Sequence, residues 1–133
     1  MVLRFQTAIQ ADVNAISPVV EHVMATAAGM GCIKGKEMEV ETALREALAN
    51  AIVHGCRMDN CKTVELCVAC DEQRGMLIVV RDPGKGFDPA QLPNPTIGQS
   101  IFRSHGRGIY LINQLMDAVR FERGGTEIHM LKK

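Results

Sequence analysis

Glu46 and Asn50 stand four residues apart in the stretch Glu39 to Gly55. That spacing stacks two side chains on one face of a helix, and His54 continues the line. Val40, Ala43, Leu44, Ala47, Leu48 and Ala51 recur at three- and four-residue steps and form the buried stripe of the same helix. At ~100° per residue, Glu46 falls roughly 100–140° from the centre of that stripe and Asn50 roughly 60–100° from it. Both therefore flank the core. An amide there can give one oxygen to Mg²⁺ whose other ligands are phosphates and waters. A carboxylate beside it can orient or deprotonate a nucleophile for phosphoryl transfer. Taken alone, such a pair more often marks a solvated helix face.

Two further segments change that balance. Asp82-Pro-Gly-Lys-Gly-Phe-Asp88 follows an apolar run, Met76 to Val80. Asp-Pro-Gly is commonly a plain turn. At the end of a buried strand, however, the Asp82 carboxylate can accept a hydrogen bond from an inserted ligand. Gly84 and Gly86 would let that ligand approach the backbone. Gly106-Arg107-Gly108 opens a helix whose free amides and dipole favour an anion, and Arg107 and Arg103 could add phosphate contacts. Neither segment fits the Walker or the Rossmann pattern: GxxxxGK[ST] is absent, a polar loop precedes Gly106, and a third glycine is missing. Together the segments describe one pocket, with an acceptor for a base, amides for phosphates, and Glu46 with Asn50 opposite.

The elements that must hold these residues read in order. Arg4 to Ile9 predicts a strand. Asp12 or Ser17 caps a helix to about Ala28, with Ser17-Pro18 the cleaner start, burying Val20, Val23, Met24 and Ala27. The Glu46 helix ends at Gly55, where a glycine can take the left-handed conformation. Lys62 to Asp71 and Met76 to Asp82 form an antiparallel hairpin across Glu72 to Gly75, the second strand being apolar enough to be central. Pro83 to His105 is a long aperiodic loop, functional or mobile. A helix from Gly106 to Met116 and a hairpin, Ala118 to Arg123 with Thr126 to Leu131, close the chain. This order predicts a two-layer α+β sandwich: a mostly antiparallel mixed sheet with helices on one face, and the other face left for solvent or a partner.

A chain of 133 residues predicts one domain, residues 1–133. Fifteen basic residues balance fifteen acidic ones, and there is no Trp and one Tyr. Direct nucleic-acid and anionic-membrane binding are therefore not expected. No signal-peptide core or bilayer-length apolar run is present, which predicts a cytoplasmic protein. Five cysteines without a leader predict reduced thiols. Cys67-Val-Ala-Cys70 has the spacing of half a zinc site or a redox motif, but in a strand those two side chains face opposite ways, so small buried hydrophobes are the better reading.

These segments resemble the GHKL (Bergerat-fold) ATPases. Glu46-xxx-Asn50 looks like the N box, Asp82-x-Gly84-x-Gly86 the G1 box, Gly106-x-Gly108 the G2 box, and Gly125-Thr126 the last box. Within the superfamily, Ala-Leu-x-Glu-Ala-x-x-Asn-Ala, His-Gly-Arg-Gly-Ile and Met-Asp-x-Val-Arg-Phe are most similar to the short anti-sigma factors and switch-protein serine kinases. The resemblance implies an ATP·Mg²⁺ site with Asp82 and Thr126 at the adenine, the Thr hydroxyl supporting the aspartate. Asn50 would sit on the metal, Glu46 would be the catalytic carboxylate, and Pro89 to His105 an ATP lid. It also implies a Ser or Thr on a STAS-type antagonist as phosphoacceptor, a sigma factor as alternative partner, and homodimerisation. Two rival readings remain: an ATP-gated protein-binding module without phosphotransfer, and a plain α+β interaction domain with an empty pocket.

Overall fold

The computed structural model describes residues 2–84 and 104–133, the side chains of 104–107 excepted. In chain order the elements are β1 (Val2–Gln10), α1 (Ile16–Met30), α2 (Glu37–Asn50), β2 (Thr63–Asp71), β3 (Gly75–Arg81), α3 (Ser104–Leu115), β4 (Ala118–Glu122) and β5 (Glu127–Lys132). The strands form one sheet in the order β1-β2-β3-β5-β4. β3 is central, as its apolar sequence predicts. Every pairing among the described strands is antiparallel, so the mixed character expected of the sheet is corrected to wholly antiparallel.

Side chains alternate between the two faces of a strand. On the inner face lie Val64, Leu66 and Val68 of β2, Met76, Ile78 and Val80 of β3, and Ile128 and Met130 of β5, all buried. Val20, Val23 and Ala27 of α1, Val40, Leu44 and Leu48 of α2, and Ile112 and Met116 of α3 meet them in one hydrophobic cluster. The helices thus cover one face, and the fold is a two-layer α+β sandwich. Among the described residues no helix is long and apolar enough to cross a membrane.

Three local expectations are corrected. Ser17 does not cap α1. Asp12 caps a short 3₁₀ turn, Val13–Ala15, by accepting from the Asn14 N–H at 2.9 Å, and that turn feeds the helix. Ser17 Oγ instead accepts from Arg45 Nη1 at 3.0 Å, tying α1 to α2. Met24 is only partly buried, packed against the core's edge. At the other end of α1, Gly31 takes φ 69° and its N–H donates to Ala27 O, a left-handed helix stop.

The second correction concerns Gly55, which is not left-handed; Arg57 (φ 54°) and Met58 (φ 61°) are. The helical run does end at Gly55, but through a π turn, Ala51–Gly55, and the left-handed residues come only after it. The third concerns the thiols. Cys32, after α1, and Cys70, on the inner face of β2, form a disulfide with Cα atoms 6.1 Å apart. They are 38 residues apart in sequence, and only the packing of the α1–α2 connection against the end of β2 brings them together. Cys67 points to the other sheet face and is free, so Cys67 and Cys70 are neither a redox pair nor two like residues of one core.

Candidate functional site

Asn50 is the last residue of α2, and the π turn begins directly after it. π segments are short insertions that recur at functional sites because they re-aim side chains. Here the turn is closed by Cys56 N–H donating to Ala51 O at 2.8 Å and Met58 N–H donating to Ile52 O at 2.9 Å. It presents Asn50, Ala51, His54 and Gly55 to the end of β3, and the left-handed pair Arg57 and Met58 turns the chain away.

Asp82 follows β3 on the side of the sheet that carries the helices. Burial raises its carboxyl above the usual carboxylate range, against the opposing pull of a hydrogen bond from the Gly84 N–H. That bond, to Oδ1, is 2.7 Å long, and among the described residues no cation forms an ion pair with Asp82. A half-buried carboxylate without a cation is costly. A neutral donor brought in by a ligand is what such a group lacks. The surroundings leave room for little else: a Cβ on Gly55 would lie 2.2 Å from Asp82 Cγ, and one on Gly84 would lie 2.4 Å from Gly55 O.

Thr126 reaches Asp82 from β5 through the backbone. Asp82 N–H donates to Thr126 O at 2.9 Å, while the Thr126 hydroxyl donates to Arg123 O at 2.9 Å. The link to the aspartate is thus main chain to main chain, where the resemblance implies the hydroxyl. Its hydroxyl lone pairs remain available to accept.

A cavity of about 370 Å³ opens between α2 and the strand ends, within the size range of small-molecule sites. Asn50, His54, Gly55, Asp82, Gly84, Gly125 and Thr126 supply its polar wall, and Val80, Ile109, Phe121 and Ile128 its apolar one. Flat apolar walls meeting a buried acceptor suit a planar heterocycle bearing an amine. Glu46 stands just beyond the cavity lining. A Cβ on Gly108 of α3 would lie 2.9 Å from Asn50 Nδ2 and 3.2 Å from Glu46 Oε2, so the start of α3 closes directly over both groups.

Residues 9–132 match the histidine kinase-like ATPase domain family. The chain belongs to that family. Over 100 residues this histidine kinase-like ATPase domain is 31% identical to the anti-sigma F factor of Priestia megaterium, covering 71% of this chain and 67% of that one. The anti-sigma F factors of Bacillus cytotoxicus and Bacillus mycoides are each 33% identical over 100 residues, with the same coverage.

An ATPase domain implies ATP, and the described residues of this one fit it. The bare glycines beside Asp82 let its carboxyl seat against Gly55 at the cavity wall, where it can accept from a base edge, and the Asn50 amide lines the same cavity and lies against Gly108 of α3. Gly106 and Arg107 fall in the first turn of α3, which starts at Ser104, two residues earlier than the sequence predicts. The unpaired amides of that turn therefore lie on the same side of the sheet as Asn50. Gly86, Arg103 and most of the expected lid, Pro89 to His105, lie outside the described residues. Among those described, no group of three or more His, Cys, Asp or Glu is placed to hold a metal. A Mg²⁺ held by Asn50 would depend on phosphate and water for its other ligands.

Arg57, Lys62 and Phe121 also line the cavity, and sequence reasoning does not single them out. Arg57 lies in an aperiodic polar connection, and Lys62 reads only as the polar first residue of a strand. Phe121 reads only as the inward residue of an edge strand. No spacing rule links any of them to Asp82.

Proposed function

We infer that this histidine kinase-like ATPase domain is an ATP- and Mg²⁺-dependent protein serine/threonine kinase acting as an anti-sigma regulatory factor. The acceptor is a Ser or Thr hydroxyl on a STAS-type antagonist, with a sigma factor as the alternative partner and a homodimer as the working form. One observation carries the reading: Asn50, Asp82, Gly84 and Thr126, from three separated segments, border a single cavity with Glu46 at its margin. The names of the anti-sigma F factor relatives support the regulatory role.

Asp82 accepts a hydrogen bond from the exocyclic amine of adenine, which supplies the donor that its desolvated carboxylate lacks. Thr126 accepts or relays a second bond at the same edge. Val80, Ile109 and Phe121 bury the ring faces and exclude water. The first-turn amides of α3, with Arg107 and Arg103, take the phosphates. Mg²⁺, when bound through Asn50 and the phosphates, neutralises charge on the transferring group. Glu46 takes the proton of the acceptor hydroxyl as its oxygen bonds to the γ-phosphorus. The bond from that phosphorus to the β–γ bridging oxygen breaks, and ADP leaves with the electron pair. Residues 89–105 serve as the lid.

The experiment is incubation with γ-labelled ATP, Mg²⁺ and purified STAS-domain proteins from the same cell. Label on a serine or threonine of one of them is the expected result. Tight ATP-dependent association without label would replace the kinase with a nucleotide-gated binder.

A further inference from the structure

On the sheet face that no helix covers, Arg81, Glu65, Glu127, Arg123 and His129 converge behind the cavity. Arg81 Nε donates to Glu127 Oε2 at 2.7 Å, and its Nη1 donates to Glu65 Oε2 at 3.2 Å. Arg123 Nε lies 3.4 Å from the same Glu127 oxygen, and His129 Nε2 lies 2.6 Å from Glu127 Oε1. Among the described residues Glu127 is the one buried charged residue, at 7% exposure, and it is the neighbouring charged side chains that bury it. A buried ion pair is weak evidence of stabilisation, because desolvation offsets much of the attraction. Its location suggests another use.

Arg81 immediately precedes Asp82, and Glu127 immediately follows Thr126. Successive strand residues face opposite ways, so the ion pair and the cavity residues sit back to back across the sheet. Arg81 and Glu127 are also the last paired rung of β3 and β5. One step beyond that rung Asp82 N–H donates to Thr126 O. The turn that delivers Gly125 and Thr126 is costly: Arg123, Gly124 and Gly125 take φ of 53°, 67° and 92° in succession. A non-glycine residue holds such a conformation only when its surroundings over-determine it, and the Arg123 side chain is anchored on Glu127.

We propose that Glu127, gripped by Arg81 and Arg123, is a positioning residue for the base-binding end of the cavity, setting Thr126 and Gly125 against Asp82 from the opposite face of the sheet. This role rests on the nucleotide reading above. It makes Glu127 an adenine-specificity residue that never touches the base, and it puts the control point for base recognition on a surface where a partner could reach it.

The test compares ATP with ITP, whose base has a carbonyl in place of the exocyclic amine and so faces Asp82 with an acceptor at the position where adenine donates. Affinities of both Mg²⁺ complexes are measured for the parent, Glu127→Gln, Arg81→Gln and the double variant, each first checked for folding by circular dichroism. The parent is expected to prefer ATP. Each single variant is expected to lose roughly tenfold in ATP affinity with little change for ITP, so that the ratio collapses. The double variant should lose no more than either single one, as a unit does. Equal losses for both nucleotides would mean general loosening and would overturn the positioning role, as would an unchanged ratio. If Glu127→Gln does not fold, Arg123→Ala, at the exposed rim, releases the turn alone. It should narrow the ratio several-fold, and an unaltered ratio there also overturns the proposal. A parent with no preference for ATP removes the adenine assignment itself, an outcome distinct from failure of the variants.

Discussion

Gly55 and the Asp82 carboxyl are in such close contact that a Cβ at position 55 would stand 2.5 Å from both carboxylate oxygens. The glycine ends a π turn of the helix bearing Asn50, and the carboxylate ends the central strand. Two segments 27 positions apart in the chain (82 − 55) thus share one van der Waals boundary. Gly55→Ala must push Asp82 aside or open the turn. ATP affinity should fall at least tenfold, about 1.4 kcal/mol, with the fold retained, as measured by calorimetry and circular dichroism. Parent-like affinity would mean that the carboxylate does not act from the position seen here.

Asp82→Asn should cost roughly ten- to a hundredfold in ATP affinity, the range for a hydrogen bond to a charged group, because the new amide can turn its own donor toward the adenine amine. Undiminished affinity would remove Asp82 from the site.

The same substitution should have the opposite effect on the empty protein. Burial raises the Asp82 carboxyl above the usual carboxylate range. A raised acid favours folding fully below its unfolded pKa, and that contribution is lost as pH rises through the folded one. At neutral pH the ligand-free fold therefore carries an ionised, half-buried carboxylate that the asparagine variant lacks. The variant should melt higher than the parent at pH 7, and the gap should shrink as pH falls into the usual carboxylate range. Melting curves with a pH-independent gap would contradict this.

Glu46→Ala should keep Mg²⁺-dependent ATP binding and lose about 10²–10⁴-fold in phosphotransfer, the usual contribution of a positioned general base. Because Gly108 packs against both Glu46 and Asn50, binding must be measured beside turnover. Equal transfer rates in variant and parent would leave Glu46 without a catalytic role.

The Cys32–Cys70 cross-link encloses all of α2 and the π turn. Reduction should lower stability by about 2–4 kcal/mol, as expected for closing a loop of this length, and should leave a Cys32→Ala variant unaffected. A denaturation midpoint that does not move on reduction would mean that the thiols are not joined in solution.

Much of this architecture is written in local pattern. The stripe from Val40 to Ala51 places α2 and sets Glu46 and Asn50 at its margins, since a 3.6-residue period depends on nothing distant. The apolar run Met76 to Val80 makes β3 central for the same kind of reason, and the two hairpins follow from alternation interrupted by turn residues. Even the grouping of Asn50, Asp82 and Gly84 can be anticipated, because each residue type suits a nucleotide.

What required the folded chain is whatever arises between segments. No pattern around Gly55 says that its missing Cβ makes room for Asp82, and none around Cys32 names Cys70 as its partner. Arg81 and Glu127 read as ordinary exposed charges on two strands. Only the β3–β5 register sets them opposite one another and buries the carboxylate. Local periodicity reports which way a side chain faces, and contact across the sheet depends on pairing that the local sequence does not encode.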